Sequence, residues 1–202
     1  ALYAEHMNML MIENDSTLAE FKLSISQKYK RHRPRLLILL GNPALLMRDE
    51  YRELWGDIPI VLCSEENYLG PQETYTKKQA IATADRTPLT QLADPYNMVL
   101  LYSNLYLDEN IQLICHIVPE IKKFIFIGDA RQINQTNNLD IRNKLKKTHP
   151  NVEYQFITPQ DMTTNQLLDS LYFVDPKTTG VLFSSWFYKT TFAGNTSLVS
   201  NA

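Results

Sequence analysis

The chain has 202 residues, enough for one large domain or two smaller ones, and its hydrophobic fraction of 44% is ordinary for a globular protein. Its 20 Lys and Arg against 22 Asp and Glu leave a formal charge of −2, so no strong field draws it to nucleic acid or an anionic membrane. No apolar run approaches the roughly 20 residues of a membrane-spanning helix, and the sequence does not open with a signal peptide.

The first part of the chain alternates between strand and helix patterns. Residues 2–7 resemble a strand, and the cluster Asn14-Asp-Ser-Thr17 predicts the start of a helix that continues to about Tyr29. Further patterns predict a strand at 36–40, a helix over about 44–54 and a strand at 58–63. This order indicates a first α/β lobe, residues 1–68.

Residues 69–97 break the alternation. They contain Gly70-Pro71, Pro88 and Pro95 and show little period. A long irregular stretch inside a compact domain is usually functional or connects two lobes. We therefore expect a connector or hinge region at 69–107, in which 98–106 forms a strand or a hinge segment.

The second half repeats the architecture of the first, which predicts a second α/β lobe at 108–202. Its predicted elements are a helix over 108–118, a strand at 123–128, a helix over 134–147, a strand at 152–157, a helix over 163–173 capped by Thr163 or Thr164, and a strand at 180–186. The predicted fold class is α/β, with parallel sheets flanked by helices in two Rossmann-like lobes.

Several common catalytic, phosphate-binding and metal-binding motifs do not occur in this sequence. It contains no G-x-G-x-x-G, P-loop, G-x-S-x-G or H-E-x-x-H motif, and its four histidines lack metal-ligand spacing. We therefore predict neither a cofactor nor a metal site. The basic run at 28–35 is interpreted as a solvated helix end rather than a nucleic-acid patch. Cys63 and Cys115 are interpreted as two separate buried thiols, with a disulfide as the alternative.

Polar residues follow the predicted strands, and ligands of open α/β sheets bind beyond the carboxyl ends of the strands. The candidate ligand-binding residues are Asn42, Ser64, Glu65, Tyr102, Asp129, Ser184, Ser185 and Trp186. Asp129 could accept hydrogen bonds from a ligand or could serve a cap or turn. Asn42 could bind a polar ligand, although a helix cap is the favoured interpretation. Tyr102 could line a cleft or pack, and the Trp186 ring could stack on a sugar or heterocycle or lie in the core.

Four stretches carry a resemblance to a known family. They are residues 34–43 (PRLLILLGNP), 58–63 (IPIVLC), 114–129 (ICHIVPEIKKFIFIGD) and 180–187 (GVLFSSWF). Together they resemble the extracytoplasmic sensor regions of bacterial hybrid two-component histidine kinases, which are similar to ABC-transporter substrate-binding proteins of the type I periplasmic-binding-protein fold. In that fold, strands precede and follow the stretches present here, so we expect a fragment cut at both ends.

The resemblance implies a non-enzymatic sensing domain that binds a small polar molecule between two lobes and signals by lobe closure or dimer rearrangement. It also implies a periplasmic location, a membrane-anchored parent protein and a possible homodimer. A transport binding protein with the same fold, a doubly wound enzyme such as a glycosyltransferase, and a pure interaction module are the alternatives.

Overall fold

The computed structural model describes the backbone of residues 2–192 and 195–200 and the side chains of residues 2–187. The chain forms two compact units, Ala1–Leu105 and Tyr106–Ala202. Each unit has its own parallel sheet and its own apolar core. The chain is therefore an α/β protein with parallel sheets flanked by helices.

The first unit contains four α-helices and five strands within the described residues. In chain order they are α1 (Asp15–Tyr29), β1 (Leu37–Leu40), α2 (Arg48–Trp55), β2 (Ile60–Ser64), β3 (Tyr68–Leu69), α3 (Gln72–Thr76), β4 (Thr87–Pro88), α4 (Leu89–Ala93) and β5 (Met98–Tyr102). Two 3-10 helices, Asn42–Met47 and Thr83–Asp85, lie between them. Helix α1 begins where the sequence predicts, with Asn14 and Thr17 forming a reciprocal capping box.

The sheet of the first unit consists of parallel strands in the order β1-β2-β5. Successive side chains of a strand point to opposite faces, and one face carries Leu39, Ile60 and Leu62, all nearly fully buried. Helices α1, α2, α3 and α4 all pack in the core that contains this face.

The opposite face of this sheet is apolar and uncovered. Its register rows are Ile38–Val61–Val99 and Leu40–Cys63–Leu101, and we call these six residues the open face. Ile38 is 58% exposed, Leu40 76%, Val99 58% and Leu101 54%. The chain adds β1, β2 and β5 to the sheet in one direction. Successive right-handed crossovers in one direction all pass over the same face of a sheet. The strand order therefore leaves the open face without a helix from the described part of the chain.

The structure differs from the sequence prediction in two segments of this unit. Residues 69–97 do not form an irregular connector, because Leu69, Tyr75, Ile81 and Leu89 lie in the core of the first unit. Residues 2–7 form no strand, since none of the strands in the described ranges pairs with them. The helices and strands within residues 69–97 are short. Short elements with few apolar residues show little periodicity, so the sequence pattern did not predict them.

The second unit contains the remaining elements of the described chain. They are α5 (Leu107–Ile117), β6 (Lys123–Ile127), α6 (Gln132–Thr148), β7 (Glu153–Ile157), α7 (Thr164–Tyr172), β8 (Thr179–Phe183), β9 (Phe187–Phe192) and β10 (Asn195–Ser200). The predicted helices and strands at 108–183 are confirmed to within a few residues, and Thr163 caps α7 in a capping box. The antiparallel pair β9–β10 was not predicted from the sequence.

The sheet of the second unit is parallel, in the order β7-β6-β8, and helices pack on both of its faces. Phe124 and Phe126 pack with α5 and α6, whereas Ile125 and Ile127 pack with α7 on the other face. The chain first moves from β6 to β7 and then returns past β6 to β8. Crossovers in opposite directions place their helices on opposite faces.

Candidate functional site

The carboxyl ends of β6 and β8 hold a cluster of buried polar side chains around Asp129, which is 0% exposed. The Asp129 carboxylate accepts hydrogen bonds from the Arg131 backbone N at 2.9 Å, from Arg131 Nε at 3.0 Å, from Asn134 Nδ2 at 2.9 Å and from Ser185 Oγ at 2.8 Å. Arg131 Nη2 lies 2.9 Å from Asp129 Oδ2. A buried charge is costly unless it is paired and hydrogen-bonded, and this carboxylate is both.

Asn134 joins the two strand ends from the first turns of α6. Its Nδ2 donates to Asp129 and also to Ser185 Oγ at 2.8 Å, and its side chain is fully buried. A Cβ at Gly128 would lie 2.9 Å from Asn134 Cγ, so the strand end needs a glycine for this close approach. Asn134 Oδ1 is buried and accepts no hydrogen bond from the described residues.

Arg131 is the residue of this cluster that reaches solvent. It is the N-cap of α6, its side chain is 35% exposed, and its guanidinium lies 4.9 Å from the centroid of the Phe187 ring. The bonds to Asp129 use Nε and Nη2, which leaves Nη1 without a hydrogen bond to the described residues. Among the residues with described side chains, none caps the start of α6, where backbone N–H groups and the helix dipole favour negative charge.

Ser184, Ser185 and Trp186 follow β8 but occupy three different environments. Ser184 is exposed and its backbone N donates to the Ile127 carbonyl at 2.9 Å, beside the end of β6. Ser185 is buried in the Asp129 cluster. Trp186 is 5% exposed and packs with Ile127, and its Nε1 donates to Thr164 Oγ1 at 3.1 Å. Its ring is therefore part of the core.

The strand ends of the first unit hold a second polar cluster. Asn42 is 3% exposed; its Nδ2 donates to the Glu66 carbonyl at 3.2 Å and to the Tyr68 carbonyl at 2.5 Å. Its Oδ1 accepts from Ser64 Oγ, which itself accepts from the Glu66 backbone N at 3.1 Å. The Asn42 side chain thus connects the start of its 3-10 helix to the chain at Glu66 and Tyr68. It does not cap that helix, because the N-cap residue is Gly41.

Other candidates at this edge face solvent. Glu65 is exposed, and Tyr102 is 51% exposed at the end of β5. The predicted site residues therefore lie at two separate sheet edges. Asp129, Ser184 and Ser185 lie at the carboxyl edge of the second unit's sheet. The corresponding edge of the first unit's sheet holds Asn42, Ser64, Glu65 and Tyr102. Arg131, Asn134 and Glu66 were not predicted from the sequence. The only local signal for Arg131 was its position two residues after a strand-terminal acid.

Three further properties bear on the chemistry of the described residues. They contain no group of His, Cys, Asp and Glu side chains arranged to hold a metal ion. None of their helices is long and apolar enough to cross a membrane. Cys63 and Cys115 are free and half-buried, one in each unit, and burial raises the pKa of the Cys115 thiol.

The chain was compared with models of known protein families, with curated proteins and with solved structures, and none of the three comparisons finds a match.

Proposed function

We propose that this chain is a ligand-sensing domain that binds a small polar molecule carrying a carboxylate or another anionic group. We further propose that its units are Rossmann-like lobes of the type I periplasmic-binding-protein kind, and that the parent protein is a membrane-anchored sensor histidine kinase with this part outside the cytoplasm. The resemblance of the four strand segments supports the family. The parallel sheets with polar residues at their carboxyl ends support a binding role.

The observation that carries the ligand class is the placement of Arg131. Asp129 and the Phe187 ring hold the guanidinium at the carboxyl edge of the sheet, with Nη1 free of protein partners among the described residues. The uncapped start of α6 and the exposed Ser184 lie at the same edge. A guanidinium, a helix start and a hydroxyl together match the oxygens of an anionic group.

The state of Asp129 favours binding over catalysis at this edge. A general base needs a free oxygen within reach of the proton that it removes. Both oxygens of Asp129 already accept hydrogen bonds from Arg131 and its neighbours, and the side chain is fully buried. We assign Asp129, Asn134 and Ser185 as positioning residues and Arg131 and Ser184 as ligand contacts.

A thermal-shift screen tests this assignment. The panel contains amino acids, sugar acids and other carboxylates beside neutral sugars and nucleosides. A ligand present at about 100 times its dissociation constant adds roughly 2.7 kcal/mol to the free energy of unfolding, which gives a clear rise in Tm. We expect hits among the anionic compounds.

Two variants then locate the site by calorimetric titration of a hit. Ser184→Ala removes an exposed hydroxyl and should weaken binding about tenfold, since a hydrogen bond to a charged group contributes about 1.5 kcal/mol. Arg131→Lys keeps a positive charge beside Asp129 but loses the planar fork, and should weaken binding further. Ser170→Ala, an exposed serine on α7, is the matched control. Unchanged affinity in both variants, or a panel without hits, contradicts the proposal.

A further inference from the structure

A small pocket lies at the amino edge of the first unit's sheet, away from the strand ends that hold Asn42 and Ser64. Helix α2, the turn after it and the segment before β5 line this pocket, and the buried side chains of Ile58 and Ile60 supply its apolar part. Gly56 ends α2 with φ 69°, a backbone conformation that favours glycine. The cavity volume of about 10 Å³ admits one oxygen-sized group, so the pocket takes the end of a ligand.

Two arginines of α2 line the pocket, and neither forms an ion pair with the described residues. Arg48 and Arg52 lie one turn apart on the same side of the helix, a spacing at which like charges destabilise a helix. Arg48 Nη1 donates to the Leu45 carbonyl at 3.2 Å, and the Arg52 guanidinium lies 5.4 Å from the centroid of the Tyr96 ring. These contacts leave most of their N–H groups without an acceptor among the described residues.

The Tyr51 hydroxyl is a further donor at the same pocket. Tyr51 is 8% exposed, and its hydroxyl makes no hydrogen bond with the described residues. The hydroxyl is not fully enclosed by protein atoms, so it opens into the pocket that Tyr51 lines. Burial raises the pKa of Tyr51 to about 12, so the hydroxyl keeps its proton at neutral pH. Buried polar groups are normally hydrogen-bonded, and an acceptor that enters the pocket would satisfy this one.

Five acidic residues lie in α2, in the turn after it and in the segment before β5, and only Asp57 lines the pocket. The other four are Asp49, Glu50, Glu53 and Asp94. Asp57 is exposed and forms no ion pair with either arginine. A bound anion therefore meets two full guanidinium charges against one carboxylate in contact with solvent and about half a charge at the end of α2.

We propose that this pocket binds a phosphate group. Two guanidiniums match the two charges of a phosphate dianion, and the planar fork of an arginine binds phosphate oxygens by paired hydrogen bonds. The Tyr51 hydroxyl donates to the oxygen that enters the pocket, and the other oxygens face Arg48 and Arg52. The group belongs to a free phosphate ion or to a phosphate ester whose ester part stays in solvent. This inference does not rest on the ligand proposed for the second unit.

Calorimetric titration with sodium phosphate tests the site. The native chain should give saturable binding at millimolar or lower concentration, and sodium acetate at the same ionic strength should bind more weakly because it carries one charge. Arg52→Gln should weaken phosphate binding at least tenfold, since it removes a charged donor. Arg33→Gln is the matched control, because it removes the same charge at an exposed arginine of the first unit that does not line the pocket.

Tyr51→Phe separates a binding role of the hydroxyl from a structural role. It removes only an oxygen without a partner among the described residues, so the stability in phosphate-free buffer should not fall. The phosphate affinity should fall about tenfold. Asp57→Asn removes the opposing carboxylate and should strengthen binding about twofold. Urea unfolding followed by the fluorescence of Trp55, which stacks on Tyr51, gives the stabilities.

Arg131→Lys distinguishes this pocket from the site proposed in the second unit and should leave the phosphate affinity of the pocket unchanged. A loss of phosphate binding in Arg131→Lys but not in Arg52→Gln places the phosphate in the second unit and overturns the proposal. A native chain without saturable binding, or equal affinities in the native, Arg52→Gln and Tyr51→Phe chains, also overturns it.

Titration with phenyl phosphate, a phosphate monoester, then separates the two sources of the group. An affinity equal to that of sodium phosphate or higher assigns the pocket to phosphate esters, and a much lower affinity assigns it to the free ion. Either result supports a phosphate site, provided that Arg52→Gln weakens the binding.

Discussion

At the residue scale, the polar side chains at the strand ends divide into two groups. Asn42, Asp129 and Ser185 are buried and use their hydrogen-bonding groups within the protein. Glu65 and Ser184 are exposed. A buried polar group must find partners, so the first group builds the strand ends and the second group is available to a ligand.

Replacement of the buried carboxylate tests the structural role of the first group. Asp129→Asn removes the charge that faces Arg131 and leaves more donors than acceptors in a buried site, so the free energy of unfolding should fall by about 3 kcal/mol. In a Trp55→Phe background, Trp186 fluorescence during urea unfolding reports on the second unit.

The matched control is Asp108→Asn, which breaks the surface ion pair of Asp108 with Lys144 in the same unit. Because solvent screens that pair, the cost should stay below about 1 kcal/mol. Equal losses for the two variants would show that the Asp129 cluster contributes no more than a surface pair.

At the element scale, local capping signals mark where helices α1 and α7 begin. Helix α7 starts at the Thr163 capping box, in which Thr163 Oγ1 accepts from the Gln166 backbone N at 3.3 Å and Gln166 Oε1 accepts from the Thr163 N at 2.9 Å. Helix α1 starts at the corresponding Asn14 and Thr17 pair. These signals lie within four residues, so the sequence was sufficient to predict them.

Thr163→Ala should lower the free energy of unfolding of the second unit by about 1 kcal/mol, because the backbone N–H of Gln166 loses its side-chain acceptor. Trp186, which packs beside Leu167 of α7, reports the transition in urea. Ser170→Ala lies on the exposed side of the same helix and should change stability little. A loss in Ser170→Ala as large as that in Thr163→Ala would argue against a capping effect.

At the scale of the whole molecule, the first unit buries Tyr51 and Tyr75 and the second unit half-buries Tyr154, and ionisation of any of the three opposes folding. Burial raises the pKa of Tyr51 to about 12 and also raises the pKa of Tyr75 and Tyr154. The folded chain therefore keeps these protons to a higher pH than the unfolded chain does. Their contribution to stability is complete below pH 10, the ordinary pKa of tyrosine, and is lost as the pH rises above it.

Alkaline unfolding should therefore begin above pH 10. Tyr51→Phe should reduce the loss of stability between pH 9 and pH 12 by about 2 kcal/mol, because a phenylalanine has no proton to release. The measurement is urea unfolding followed by Trp55 fluorescence, since Trp55 stacks on Tyr51 with ring centroids 5.8 Å apart. Tyr172→Phe, at an 83% exposed position, is the control. An identical alkaline loss in Tyr51→Phe and the native chain would refute the assignment.

The sequence by itself determined the α/β class, most of the long helices, the strands of both parallel sheets, and the capping of α1 and α7. Periodicity and capping depend only on residues that are close together in the sequence. Only the tertiary structure decided that Asp129 and Trp186 are buried and that residues 69–97 join the first core. It also decided the strand orders β1-β2-β5 and β7-β6-β8, which leave one face of the first sheet open and place helices on both faces of the second. Those outcomes depend on which distant segments pack together, and no local pattern contains that information.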